Sequence, residues 1–332
     1  ILNTRDLGIG FENKKEGKNY LLKDLSLNIN KGELTCLVGA NGSGKSTLIR
    51  TLAGFQTPLN GDIFIKNHHI KNYKQSELAK ELSVVLTEKP AMGNLSAFDL
   101  ISFGRYPYTD WYGTLSKKDI EITEWAIDEM KIKNLRDKHI GNVSDGELQK
   151  IMIGRALAQN TPLMLLDEPT AHLDIQNRVS IIGILRYLTK ETNKGILLST
   201  HELEVALQVA DNIWLIDNEQ ELNVGVAEDI VLDGIIHDIF KGSEVQFDSS
   251  SGTFEISHMK NGKSALIKGN GDARFWTKRA MIKEGFDITN DNKYDLIIEI
   301  ECDPLRWKVK SNEDQVVTKN IKELKEVINK KI

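Results

Sequence analysis

Gly39, Gly42 and Gly44 frame Ala40, Asn41 and Ser43 in the stretch "LVGANGSGKSTLI", and Lys45, Ser46 and Thr47 follow at once. Glycines at these intervals let a backbone curl until successive N–H groups point at phosphate oxygens. A helix opening at the end of the loop adds its positive end. An amine placed there, as Lys45 is, meets β- and γ-phosphates, and the hydroxyl of Ser46 ligates Mg²⁺. The spacing from Gly39 to Ser46 is G-x-x-x-x-G-K-[ST]. An apolar strand (Leu34–Val38) precedes it and an apolar-periodic helix follows, the context a triphosphate loop requires. A glycine-rich turn that only opens a helix is the plainer alternative, and the Lys-Ser pair argues against it. The loop alone does not separate ATPase from GTPase or kinase.

A second constellation is acidic. "PLMLLDEPTAHLD" is an apolar run ending in Asp167 and Glu168. An acid at a strand end beside a phosphate loop holds Mg²⁺ through its water shell, which suits Asp167. The next carboxylate polarises an attacking water, which suits Glu168. The alternative is a solvated acidic turn before Pro169. About twenty residues upstream, Ser144 and Gly146 in "VSDGELQKIMIGRAL" lead into an amphipathic helix, another N-terminus able to receive an anion.

These residues need a scaffold. Strands are expected at Asp6–Phe11, Leu25–Ile29, Leu34–Val38 and Asp62–Ile65, then at "LSVVL", "LMLLD", "GILLST" and "NIWLID". The last three are continuous apolar runs, as for strands covered on both faces. Helices at Gly44–Leu52, Gln149–Ala158 and Gln176–Glu191 alternate with them, which predicts an α/β fold with a mostly parallel sheet. Between Ala97 and Lys138 the pattern is helical. "KGSEVQFDSSSGTFEI" reads as a linker. Beyond it "SALIKG", "DARFWTKRAMIKEG", "YDLIIEIEC" and "KNIKELKEVINKK" alternate strand and helix and predict a small separate α/β domain. The expected division is residues 1–245, with a helical part at about 90–160, and residues 250–332.

The chain has 332 residues and a net charge of −5, so a strongly basic nucleic-acid binder is not indicated. Cys36 and Cys302 stand apart from any CxxC or His cluster and are read as buried hydrophobes. No run approaches the length of a membrane span, and "ILNTRDLGIGF" has no signal pattern.

The order of motifs, phosphate loop, helical insertion, Ser-x-Gly helix start, Asp-Glu strand, "HLD" and "STHE", resembles the nucleotide-binding subunit of ABC transporters over roughly residues 1 to 245. The resemblance implies a P-loop NTPase (RecA-like) core with antiparallel β and helical subdomains, hydrolysing ATP with Mg²⁺. It makes Gly39–Thr47 the Walker A loop and Leu163–Glu168 Walker B, with Glu168 the catalytic carboxylate. It makes Ser144, Gly146 and Glu147 the signature that touches ATP bound to the other subunit, Asp174 a residue that couples the two subunits, and His201 the switch histidine. Phe11 is the expected adenine-stacking aromatic and Tyr20 the alternative. Two departures stand out. The signature is Val-Ser-Asp-Gly-Glu, whose Asp145 is expected to point away from phosphate or to be screened. The Gln that ends the "VVL" strand in the family is replaced by Thr87 or Glu88, either of which offers oxygen to Mg²⁺. "DLISFGRYPYTDWYG" and "LSTHELEVALQVADNIWLI" resemble the importers of iron-siderophore complexes, haem and cobalamin. The implied partners are transmembrane permease subunits, a second copy of the chain and, indirectly, a substrate-binding protein. The implied location is the cytoplasmic face of a membrane, as a peripheral subunit. A soluble ABC ATPase acting on nucleic acid or ribosomes is the rival, weakened by the absence of a long heptad insertion and of a second loop. "NKYD" at 292–295 lacks the companion motif of a GTPase, and "GNG" at Gly269–Gly271 lacks the third glycine of a dinucleotide fingerprint.

Overall fold

The computed structural model describes residues 1–13, 17–87, 94–241, 245–256, 261–291, 294–311 and 314–331. Its elements fall into two compact units, Ile1–Lys241 with Phe247–Phe254, and Gly242–Gln246 with Glu255–Ile332.

The first unit opens with an antiparallel layer. Strands β1 (Leu2–Asn13) and β2 (Gly17–Leu25) form a hairpin, and β3 (Asn28–Ile29) returns to pair with β1. After β4 (Leu34–Val38) and helix α1 (Lys45–Leu52), β5 (Asn60–Ile65) and β6 (His68–His69) complete that layer. The single strand expected at Leu25–Ile29 is therefore the end of β2 and the whole of β3. Burial alternates from Leu25 to Ile29 as expected, but the left-handed Asp24 just before it turns the chain away from the β1–β2 pairing.

The short α2 (Gln75–Leu78) and β7 (Leu82–Val85) come next, followed by α3 (Ala97–Ser102), α4 (Lys117–Glu129) and α5 (Asp145–Ala158). Each of these last three helices begins with a serine and an acid three residues into the helix, Ser96/Asp99, Ser116/Asp119 and Ser144/Glu147. In each the side chains exchange bonds with the other's backbone, which satisfies two orphan donors reciprocally. That cap moves the start of α5 to Asp145, four residues before the apolar pattern would place it.

The remainder alternates strand and helix: β8 (Leu163–Leu166), α6 (Ile175–Glu191), β9 (Gly195–Thr200), α7 (Leu203–Val209), β10 (Asn212–Ile216), β11 (Leu222–Val226), α8 (Ala227–Leu232) and α9 (Ile235–Ile239). The second sheet runs β11-β10-β4-β9-β8-β7, parallel throughout except for β11. Its strands bury both faces by alternation. Leu34, Cys36, Val38, Met164, Leu166, Ile196, Leu198, Ile213 and Leu215 point into a core shared with the helices. Leu37, Leu163, Leu165, Leu197, Trp214 and Ile216 point into one shared with α1 and the antiparallel layer. Because the strands are parallel, the residues after β4, β7, β8 and β9 emerge along one edge, where ligands of such sheets bind.

The segment read as a linker forms a hairpin, β12 (Val245–Asp248) and β13 (Thr253–Ile256). Phe254 packs against Phe240 and Phe247, with ring centroids 4.7 and 5.2 Å apart. Two aromatics anchor a segment whose composition is otherwise that of a loop.

The second unit is a five-stranded sheet ordered β15-β14-β16-β17-β18. It is built from β14 (Ser264–Lys268), α10 (Gly271–Lys283), β15 (Asp287–Thr289), β16 (Leu296–Cys302), β17 (Leu305–Ser311), β18 (Asp314–Thr318) and α11 (Ile321–Lys331). It has its own core, with Met281, Leu296, Ile298, Trp307 and Leu324 at its centre. Cys302 is exposed, unlike the buried thiol expected for it, because it is the last residue of β16, at the turn into β17. Burial pushes the Cys36 thiol up to about 12.

Candidate active site

The phosphate loop leaves β4 at Gly39. A Cβ there would stand 2.7 Å from Ser43 Oγ and 3.1 Å from Ile216 Cβ, so only glycine fits the turn. Gly42 (φ 82) and Gly44 (φ 102) hold left-handed conformations that other residues rarely adopt. Gly44 is the N-cap of α1, with no side-chain cap and no acid in the first turn. The N–H groups of this turn are thus left to an incoming anion. Ser43 Oγ is buried and has no hydrogen-bond partner among the described residues. Asn41 and Ser46 are exposed and Lys45 is buried. The Lys45 ammonium donates to Gly39 O (2.9 Å) and Ala40 O (3.1 Å) and pairs with Glu168 Oε1 at 3.2 Å.

Asp167 follows β8 and is almost wholly buried, with its N–H donating to Val85 O of β7. Its carboxylate accepts from three hydroxyls. Ser46 (3.1 Å) and Ser199 (2.8 Å) reach Oδ1, and Thr87 (3.2 Å) reaches Oδ2. Glu168 adopts φ 47, a left-handed conformation that strains a residue with a Cβ by about 1–3 kcal/mol. It is held there by Ser199, whose Oγ also accepts from Glu168 N at 2.8 Å. Ser199 lies inside β9, opposite the end of β8, and is fully buried. Sequence reasoning missed it. The one available signal was a hydroxyl within the otherwise apolar run "GILLS", two residues before His201. His201 is half exposed, with Nδ1 3.9 Å from Glu168 Oε2. Of the Gln-replacing pair, Thr87 bonds to Asp167, and Glu88 lies outside the described residues.

Of the two candidate aromatics, Phe11 is 55% exposed at the end of β1. It pairs with Asn19, whereas Tyr20 pairs with Gly10. Directly opposed residues share a face and neighbours alternate. Phe11 is therefore on the face of Ile9, whose side chain approaches Gly44, and Tyr20 is on the face of Gly8. Lys23 lies over the Tyr20 ring at 4.8 Å.

The other predicted residues stand elsewhere. Ser144 caps α5 and exchanges bonds with Glu147 (2.8 and 3.3 Å). The Ser144 backbone bond, with Lys138 nearby, holds the Glu147 carboxyl below the usual range. Asp145 is exposed to solvent, which screens it. Gly146 is required because a Cβ would meet the Asn177 side chain at 2.6 Å. Asn177 bonds in turn to Asp174, the N-cap of α6. The backbone N–H of Asn177 and then its amide hold the Asp174 carboxyl below its usual value. The hydrogen bonds of Ser144, Glu147 and Asp174 are local and run to their own helices.

Residues 22–171 match the family described as ABC transporter, and residues 262–329 the one described as iron ABC transporter C-terminal domain. The chain is 35% identical over 290 residues to an uncharacterized ABC transporter ATP-binding protein of Methanocaldococcus jannaschii, spanning 87% of this chain and 98% of that protein. It is 32% identical over 240 residues to the petrobactin import ATP-binding protein FpuD of Bacillus anthracis, spanning 72% and 86%. Among solved structures, an inward-facing ABC transporter of metal-chelate type is 26% identical with a TM-score of 0.60, over 69% of this chain and 84% of that one. The cbiO1 protein of Clostridium perfringens, part of the ABC transporter complex cbiONQ, is 26% identical with a TM-score of 0.61, over 73% and 95%.

Proposed function

The chain belongs to the ATP-binding proteins of the ABC transporter family and is an ATPase, and we propose that it powers import of an iron chelate of the siderophore type through a membrane permease. The observation that carries the cargo class is the match of its C-terminal unit to the iron ABC transporter domain, beside a relative named for petrobactin import.

In this reading the backbone of Gly39–Thr47 and the Lys45 ammonium hold the β- and γ-phosphates, and Phe11 stacks on the adenine. Phosphate competes with Glu168 for Lys45 and so releases the carboxylate. Glu168 then orients and deprotonates the attacking water, and His201 bonds to the phosphate as it leaves. The donors around Asp167 are all hard oxygens. The described residues hold no cluster of three His, Cys, Asp or Glu suited to a metal. That set fits Mg²⁺, which keeps much of its water and completes its shell from phosphate; Ser46, Asp167 and Thr87 would hold it, and it would offset phosphate charge. A second copy supplies Ser144, Gly146 and Glu147 to the far side of each nucleotide, with Asp174 between the copies.

No described helix is long and apolar enough to cross a membrane. In this reading the chain acts at the membrane through its permease partner. The aromatic loop after α3 suits that contact. Trp111 and Tyr112 are 97% and 88% exposed. Arg105, buried and bonded to Asp119 and Ala158 O, fixes the base of the loop. Pull-down of the chain from gently solubilised native membranes tests the proposal. A polytopic permease should come with it, together with a chelate-binding protein, and recovery of ribosomes or nucleic acid in place of a membrane protein overturns the importer reading.

A further inference from the structure

Helix α10 of the C-terminal unit turns Thr277, Ala280 and Met281 inward, where Thr277 accepts from Trp307 Nε1 at 2.7 Å. Its opposite side carries Asp272, Phe275, Trp276, Arg279 and Lys283, all exposed. At 100° per residue these five fall within a stripe about 100° wide. Phe275 and Trp276 are 53% and 57% exposed and meet edge to face with centroids 5.5 Å apart. The Arg279 guanidinium lies 5.5 Å from one ring and 5.6 Å from the other. Two adjacent large aromatics with an arginine form the composition of an interface centre, where Trp, Phe and Arg are enriched.

The charges along the stripe select the occupant. The acid, Asp272, is at the N-terminal end and the cations, Arg279 and Lys283, are at the C-terminal end. A second α10 laid antiparallel about the midpoint between Phe275 and Trp276 sets Phe275 against the other copy's Trp276. The same operation sets Asp272 against the other copy's Arg279, twice. A parallel arrangement would oppose like charges. A two-fold contact requires a surface that complements itself in this way. The helix dipole explains Asp272 at one end of α10 and Lys283 at the other, but not two adjacent exposed aromatics with Arg279 beside both rings.

We infer that the outer face of α10 is a homodimerisation surface on which a second copy of this chain packs its own α10 antiparallel. It rests on the two-copy reading above for its setting, yet it needs no nucleotide, so the two stand or fall separately. The test is sedimentation velocity and native mass spectrometry of the full chain without nucleotide. The wild-type chain should associate reversibly to a dimer. Asp272→Arg and Arg279→Asp should each raise the dissociation constant by about 100-fold or more, because symmetry makes one substitution create two like-charge pairs. The double reversal, Asp272→Arg with Arg279→Asp, should restore the dimer to within about 10-fold, although it carries both costs to the helix dipole. A folding defect cannot give that rescue. Phe275→Ala with Trp276→Ala should abolish association while leaving circular dichroism and melting unchanged. A wild-type chain that is monomeric at tens of micromolar overturns the inference, and so does a dimer indifferent to the single reversals. A nucleotide-dependent dimer of Glu168→Gln that persists in all these variants would leave the cassette reading intact.

Discussion

Ser199 ties together two carboxylates that must differ in role. One hydroxyl donates to Asp167 and accepts from the Glu168 amide, so it fixes the acid proposed to face Mg²⁺ and the strained backbone of the residue proposed as the base. Ser199→Ala leaves that amide buried without a partner, at a cost of about 1–3 kcal/mol, and lets Glu168 relax from its left-handed conformation. We expect turnover to fall about 10- to 100-fold while ATP affinity, set by the loop, changes by less than about threefold. Steady-state kinetics beside a binding titration separate the two, and an unchanged turnover would remove Ser199 from the mechanism. Glu168→Gln acts at the next atom. It removes the base and the ion pair to Lys45, so nucleotide should bind at least as well. Turnover should fall at least about 100-fold, and the protein should accumulate as an ATP-bound dimer in size exclusion. Normal turnover would contradict the role given to Glu168.

At the scale of elements, Asp211 joins three of them. It follows α7, accepts from Leu34 N at the start of β4 (2.9 Å), and is bound by Arg186 and Lys190 of α6. Burial pushes its carboxyl up, but Arg186, the Leu34 amide and Lys190 together outweigh that and hold it below the usual range. A carboxylate depressed in the folded state contributes stability above its unfolded pKa, near 3.9, and that contribution disappears as pH falls through the lower, folded value. The melting temperature should therefore drop between about pH 5 and pH 3. Asp211→Asn should melt lower at neutral pH and show a shallower drop across the same window; parallel curves would discount the linkage. The elements themselves were legible where one pattern ran long enough. The core strands are apolar on both faces, and the helix starts carry Ser-x-x-acid signatures. What escaped were elements defined by pairing. The hairpin of β12 and β13 is marked only by Phe247 and Phe254; β17 exists because the β16 edge offers it hydrogen bonds, and β18 because β17 does in turn. The phosphate loop and the Asp-Glu pair were legible because their chemistry demands fixed residues at fixed intervals. The contacts of Ser199 and Thr87 with Asp167 depend on the register between β7, β8 and β9, which no single segment encodes.

For the whole molecule, the proposed two-copy site divides the labour between copies. Lys45, Asp167 and Glu168 converge within one chain, while Ser144 bonds within its own helix and Gly146 lies against Asn177 of α6. If each nucleotide needs the loop of one copy and the α5 start of the other, two inactive chains must complement each other. Lys45→Ala removes the loop ammonium. Ser144→Asp retains a side chain that caps α5 well but sets a carboxylate against the γ-phosphate. Each alone should hydrolyse ATP poorly. In an equimolar mixture half of the dimers are mixed. Each mixed dimer has one site with Lys45 from one copy and Ser144 from the other, so activity should return to at most about a quarter of wild type. Distinct affinity tags and native mass spectrometry establish that mixed dimers form. Mixed dimers no more active than their parents would mean that the two motifs do not meet across the pair, and the site would have to be completed within a single chain.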